Sequence, residues 1–114
     1  MSDFEERFRL SKEYQIATQQ VKAYHSSLNL ASQTILKCDI TTKELNNLKE
    51  NEKVFRSVGR MFILSDKEEV TSMIATQKEK IEKESIKYQE MKKVYEKKRD
   101  GTIEAIKEYE ENHK

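Results

Sequence analysis

The sequence has no proline, no tryptophan, two glycines and one cysteine in 114 residues. With so little proline and glycine, almost nothing interrupts a helix. The lone Cys38 excludes an intrachain disulfide and suits a reducing compartment. No run is long and apolar enough to span a membrane. Residues 1–6 lack the basic and apolar regions of a signal peptide. A cytoplasmic location without membrane association is expected, and a nuclear pool reached through partners is compatible with it. Neither charge sign dominates: 22 basic residues against 21 acidic ones give +1. Balanced, interspersed charge suits solvated helices laced with ion pairs. A nucleic-acid surface needs clustered positive charge, so no direct nucleic-acid binding is expected. There is no glycine-rich phosphate loop. His25 and His113 are far apart in sequence and the carboxylates are spread along it, so no catalytic residue, metal ligand or cofactor is expected. The chain does not read as an enzyme.

What is present is mostly charge and periodicity. Hydrophobic residues make up 35% of the chain and charged ones 38%, which is apolar-poor for a packed domain. In the first half, steps of four and three recur. With Tyr14 at heptad position a, the a row is Tyr14, Val21, Leu28, Ile35 and Thr42. The d row is Leu10, Ala17, Tyr24, Ala31, Cys38 and Leu45. About five heptads predict a coiled-coil seam, and roughly 40 helical residues make a rod of about 60 Å. Phe4 and Phe8 fall outside that seam and pair with each other at i, i+4. His25 flanks the seam, and Cys38 reads as a small core residue. The helix is expected over about 4–49.

Residues 54–64, Val-Phe-Arg-Ser-Val-Gly-Arg-Met-Phe-Ile-Leu, break the pattern. Val54, Phe55 and Val58, then Met61, Phe62, Ile63 and Leu64, form two strand-like runs. Gly59-Arg60 between them suits a two-residue type II′ turn. In that register Val58 faces Met61, Ser57 faces Phe62, Arg56 faces Ile63 and Phe55 faces Leu64. Apolar residues then occupy both faces of a ribbon that is marginal alone. The hairpin is therefore expected to pair with copies from other subunits, closing an oligomeric β-barrel that removes its edges.

A second helix is expected over about 66–111. Ser65-Asp66-Lys67-Glu68 reads as a capping box. The a row is Ile74, Ile81, Tyr88 and Tyr95; the d row, Val70, Gln77, Glu84 and Met91, is weaker. Lys78/Glu82, Glu79/Lys83, Lys80/Glu84 and Lys92/Glu96 are spaced for i, i+4 ion pairs. After Tyr95 the seam loosens, with Lys98 at d, Thr102 at a and then Gly101 in the helix interior. Apolar residues return rotated, at Ile103, Ile106 and Tyr109, which reads as a slip in the heptad phase or a soft spot; the alternative is that the helix stops at Asp100-Gly101 and a frayed tail follows. The basic stretch 92–99 reads as a solvated face. The whole is one mostly α unit, 1–114: a long antiparallel two-helix coiled coil with a single β-hairpin between the helices. Phe4, Phe8, Ile103, Ile106 and Tyr109 should then gather where both ends of the sequence meet. A loose coil there can present apolar side chains to a partner.

The hairpin string, followed by Lys67-Glu68, resembles that of the β class of prefoldin subunits. The helix–hairpin–helix layout extends the resemblance over nearly the whole chain. It implies one hairpin per chain, where an α-class subunit carries two. It also implies a hetero-hexamer of α- and β-class subunits whose hairpins build a barrel platform, with Val54, Phe55, Val58, Gly59, Met61, Phe62, Ile63 and Leu64 forming this chain's share. The implied function is that of an ATP-independent co-chaperone. Such a chaperone holds non-native actin and tubulin at its coiled-coil ends and passes them to the cytosolic chaperonin. Phe4, Phe8, Ile103, Ile106 and Tyr109 match the family's holding surface by location only. The alternative from the same residues is a structural tether or scaffold subunit that holds no client.

Overall fold

In a computed structural model of the chain, the elements run α1 (Asp3–Asn46), β1 (Lys53–Val58), β2 (Met61–Asp66) and α2 (Lys67–Asn112). The structure describes residues 2–48, 53–58 and 61–113, with the backbone alone over 53–58 and 61–65. The Gly59-Arg60 turn and the link 49–52 lie outside the described residues.

β1 and β2 form a two-stranded antiparallel sheet. Val58 lies opposite Met61, Ser57 opposite Phe62, Arg56 opposite Ile63 and Phe55 opposite Leu64. Pairing continues through Val54–Ser65 to Lys53–Asp66, directly before α2. The ladder therefore claims Ser65, and α2 starts at Lys67, one residue later than a Ser65 cap implies.

The chain divides into two compact units. The hairpin unit, Leu30–Ser85, takes the end of α1, both strands and the start of α2. Among the described residues its buried side chains are Ala31, Cys38 and Leu45, successive members of the d row. Thr42 at a is half-buried because its hydroxyl donates to the Cys38 carbonyl at 2.8 Å, leaving the methyl to pack. From α2, Val70, Ile74 and Ile81 are half-buried. Lys78 reaches across to Asp39, with Nζ 2.6 Å from Oδ1. Lys67 Nζ donates to the Leu48 carbonyl at 3.0 Å, which gives that group a partner just past the end of α1.

The terminal unit joins Met1–Asn29 to Ile86–Lys114. α1 opens on Ser2, whose Oγ accepts from the amide of Glu5 at 3.2 Å, a Ser-x-x-Glu start. Leu10, Ala17, Val21 and Thr102 are buried. Tyr24 lies between two rings of α2, Tyr88 at 6.1 Å and Tyr95 at 6.0 Å between centroids. Such contacts contribute about 0.5–1.5 kcal/mol each beyond burial.

α2 corrects two expectations. Its helix runs through Gly101 to Asn112, and the heptad phase does not slip. Thr102, seven residues after Tyr95, is only 8% exposed, and Tyr109 follows seven later. Thr102 can be buried at a because its hydroxyl donates to the Lys98 carbonyl at 2.8 Å. The second row of the seam also leans from d towards e. At d, Val70 and Glu84 are half-buried but Gln77, Met91 and Lys98 are exposed, whereas the e positions Thr71, Lys78, Ser85, Lys92, Arg99 and Ile106 are all half-buried. Lysine and arginine lay their methylene stems along the seam while their heads reach outward. Those of Lys92 and Arg99 meet Glu96 at 3.8 Å and Asp100 at 3.4 Å. Lys78–Glu82 at 3.8 Å and Glu79–Lys83 at 3.2 Å also form on α2, but Lys80 and Glu84 do not come within ion-pair distance.

Candidate functional site

Two groups of residues are candidates: those of the hairpin and those of the terminal unit. In the sheet, Val54, Phe55 and Val58 fall on β1, and Met61, Phe62, Ile63 and Leu64 on β2. Each strand is paired on one side only, so each keeps an outer edge of N–H and C=O groups. The directions of these side chains, and Gly59, lie outside the described residues.

In the terminal unit, Phe4 is 78% and Phe8 59% exposed, with their rings stacked at 6.3 Å. The Lys12 ammonium stands 5.7 Å from the Phe8 centroid. An exposed aromatic pair at i, i+4 gains little from its own helix, and its faces stay available. Ile103, Ile106 and Tyr109 are half-buried instead. Ile106 and Tyr109 line a small hollow with Leu10, which Phe4 and Phe8 do not line. Tyr109 fastens the two helices: its hydroxyl donates to the Asp3 carbonyl at 2.9 Å, and partial burial pushes the phenol pKa up. The His113 ring stacks on Tyr109 at 4.0 Å, and its Nε2 lies 3.4 Å from Asp3 Oδ1. Arg9 bridges Glu6 at 2.7 Å and Glu13 at 2.8 Å. The hydrogen bond from Arg9 holds the Glu6 carboxyl below the usual range.

The sequence pattern did not show a groove of about 520 Å³ beside this clasp. Its floor is Leu10, Ala17 and Thr102, and its walls are Ile16 and Tyr95. Gly101 and Ala105 leave the space open, and Arg9, Glu13 and Lys98 rim it. The available signal was Gly101 and Ala105, small residues four apart on one helix face, which sequence alone reads as a weak spot.

His25 is exposed, as a seam flank should be, and its Nδ1 lies 3.5 Å from Lys92 Nζ. Among the described residues no cluster of His, Cys, Asp and Glu is placed to hold a metal ion, and no helix is long and apolar enough to cross a membrane.

A family model described as prefoldin subunit matches residues 9–112. The chain belongs to the prefoldin family. It is 37% identical over 73 residues to prefoldin subunit 1 of Tetraodon nigroviridis, covering 64% of this chain and 54% of that one. The chain therefore spans about half the length of that relative. It is 33% identical over 94 residues to the prefoldin subunit 1 proteins of Homo sapiens and Mus musculus, covering 82% of this chain and 71% of each of those. The prefoldin match takes in both strands, the groove, Ile103, Ile106 and Tyr109, and stops short of Phe4 and Phe8.

Proposed function

We propose that the chain is a β-class subunit of a cytoplasmic hetero-hexameric prefoldin, acting as an ATP-independent co-chaperone. The sheet joins hairpins of α- and β-class partners. The terminal unit holds non-native polypeptides of the actin and tubulin kind, and the complex delivers them to the cytosolic chaperonin. Holding needs no bond made or broken, so no catalytic residue is assigned. The observation that carries this reading is that the terminal unit, apart from the sheet, holds both the exposed Phe4–Phe8 pair and an open groove. Exposed apolar side chains grouped in this way support a binding role.

The test is reconstitution. Purified chain mixed with α-class partners should co-elute as one complex of hexamer mass. That complex should suppress aggregation of denatured actin without ATP. Separate elution of the components overturns the assembly role. Assembly without suppression leaves the chain as a tether, as does full suppression after Phe4, Phe8, Ile103 and Ile106 are all changed to Ser.

A further inference from the structure

Gly101 has no structural reason to be glycine. It lies inside an uninterrupted helix, where glycine is about 1 kcal/mol less favourable than alanine. A Cβ built on it meets no heavy atom within 4 Å, so no close approach requires its absence either. What the missing side chain does is keep the groove between Tyr95 and Ala105 open.

The lining selects an occupant. The floor is apolar or satisfied within its own helix, because the Thr102 hydroxyl is already spent on the Lys98 carbonyl. The rim is electrically uneven. Arg9 is bridged by both Glu6 and Glu13, so that side of the rim carries no spare positive charge. The Lys98 ammonium lies 5.0 Å over the Tyr95 ring, and no carboxylate of the described residues is within ion-pair distance of it. The groove therefore offers an apolar slot with one uncommitted cation at its edge. We infer that it takes a large apolar side chain of an extended, non-native polypeptide, with a neighbouring Asp or Glu of that segment set on Lys98. This rests on the holding function proposed above and names the class of segment held. It separates the groove, with Lys98 at its edge, from the exposed Phe4–Phe8 pair, whose neighbouring cation is Lys12.

The experiment uses the reconstituted complex and fluorescein-labelled peptides carrying Phe-Leu flanked by either Asp or Lys, titrated by anisotropy. Gly101→Ala and Gly101→Leu fill the slot stepwise while favouring the helix, so circular dichroism separates filling from unfolding. Affinity for the Asp-flanked peptide should fall about twofold with Ala and about tenfold with Leu, at undiminished helix content. Lys98→Glu should reverse the preference between the two peptides, by roughly fivefold each way. Parent-like binding by Gly101→Leu, or a preference indifferent to the sign at position 98, overturns the inference. So does a concentration-dependent doubling of the complex that Gly101→Leu abolishes, which would assign the slot to a second copy. If Gly101→Leu still suppresses aggregation as the parent does and binds the peptides as well, the groove assignment fails and holding stands. If the parent itself does not suppress aggregation, holding fails first.

Discussion

All five tyrosines of the chain lie in the terminal unit, and the helical segments of the hairpin unit hold no aromatic residue. The two units share one heptad scheme and fill it differently. In the hairpin unit Ala31, Cys38 and Leu45 are buried, and Lys78 ties across to Asp39. In the terminal unit, wide rings at Tyr24, Tyr88 and Tyr95 share the seam with Ala17, Gly101 and Thr102, and an open groove follows. Aliphatic and small side chains are buried in the first; in the second, wide rings alternate with small or absent side chains and leave space. The difference suits the roles proposed above, in which one unit assembles and the other receives.

The most damaging test of that contrast is at the sheet. Ile63→Lys places a charge in a strand proposed to pair with other subunits, and co-elution with α-class partners should be lost outright. Its retention would detach assembly from the hairpin. The next largest effect is Leu45→Ala. Leu45 is 4% exposed, and its truncation should cost about 3 kcal/mol, read by denaturant unfolding of the complex. Tyr24→Ala in the terminal unit should cost less, about 2 kcal/mol, because the ring is only half-buried. Hydrogen exchange should place the first loss within Leu30–Ser85 and the second within Met1–Asn29 and Ile86–Lys114. If either variant loosens both units equally, they are not separate cooperative regions.

How much of this was legible in the sequence follows from what each residue type reveals. The d row of α1 was open to reading, since Leu10, Ala17, Ala31, Cys38 and Leu45 recur at seven-residue intervals and are buried. The second row of α2 was not, because Lys78, Lys92 and Arg99 count as charged whatever their stems cover. Thr102 read as a fault for a similar reason: its hydroxyl is answered by its own helix, which residue type does not show. The start of α1 falls within a residue of the expected one, and Ser2 and Glu5 carry the capping pattern that sets it. The Asp39–Lys78 bridge needs the register of one helix on the other, which neither helix's pattern contains. Of the expected site, Phe4 and Phe8 emerge exposed, but Tyr109 is turned to fastening the helices together. The groove was invisible because its defining element is a side chain that Gly101 lacks.

The smallest expected effect is a titration, which distinguishes the units by their charged groups. Glu6 is held below its ordinary value of 4.5, first by the hydrogen bond from Arg9. A carboxyl depressed by folding supports the fold above its unfolded value and stops doing so as pH falls through the folded one. The terminal unit should therefore loosen on acidification below about pH 4.5, and Glu6→Gln should remove that acid limb. Lys78 is raised above its ordinary 10.5, first by its hydrogen bond to Asp39. Its support is complete below that value and fades as pH climbs through the higher folded one, so Lys78→Gln should flatten an alkaline limb in the hairpin unit. Tyr109, raised above 10.0 by partial burial, gives the terminal unit an alkaline limb of its own, because the unfolded phenol ionises first. Tyr109→Phe separates that limb from Lys78. All these groups remain reachable by solvent, so melting midpoints between about pH 3 and about pH 11 should shift by only about 1–2 °C per variant. The Glu6 and Lys78 shifts should shrink in high salt, where exposed pairs are screened. An acid limb that survives Glu6→Gln would mean that the Arg9 bridge does not hold the start of α1 in place.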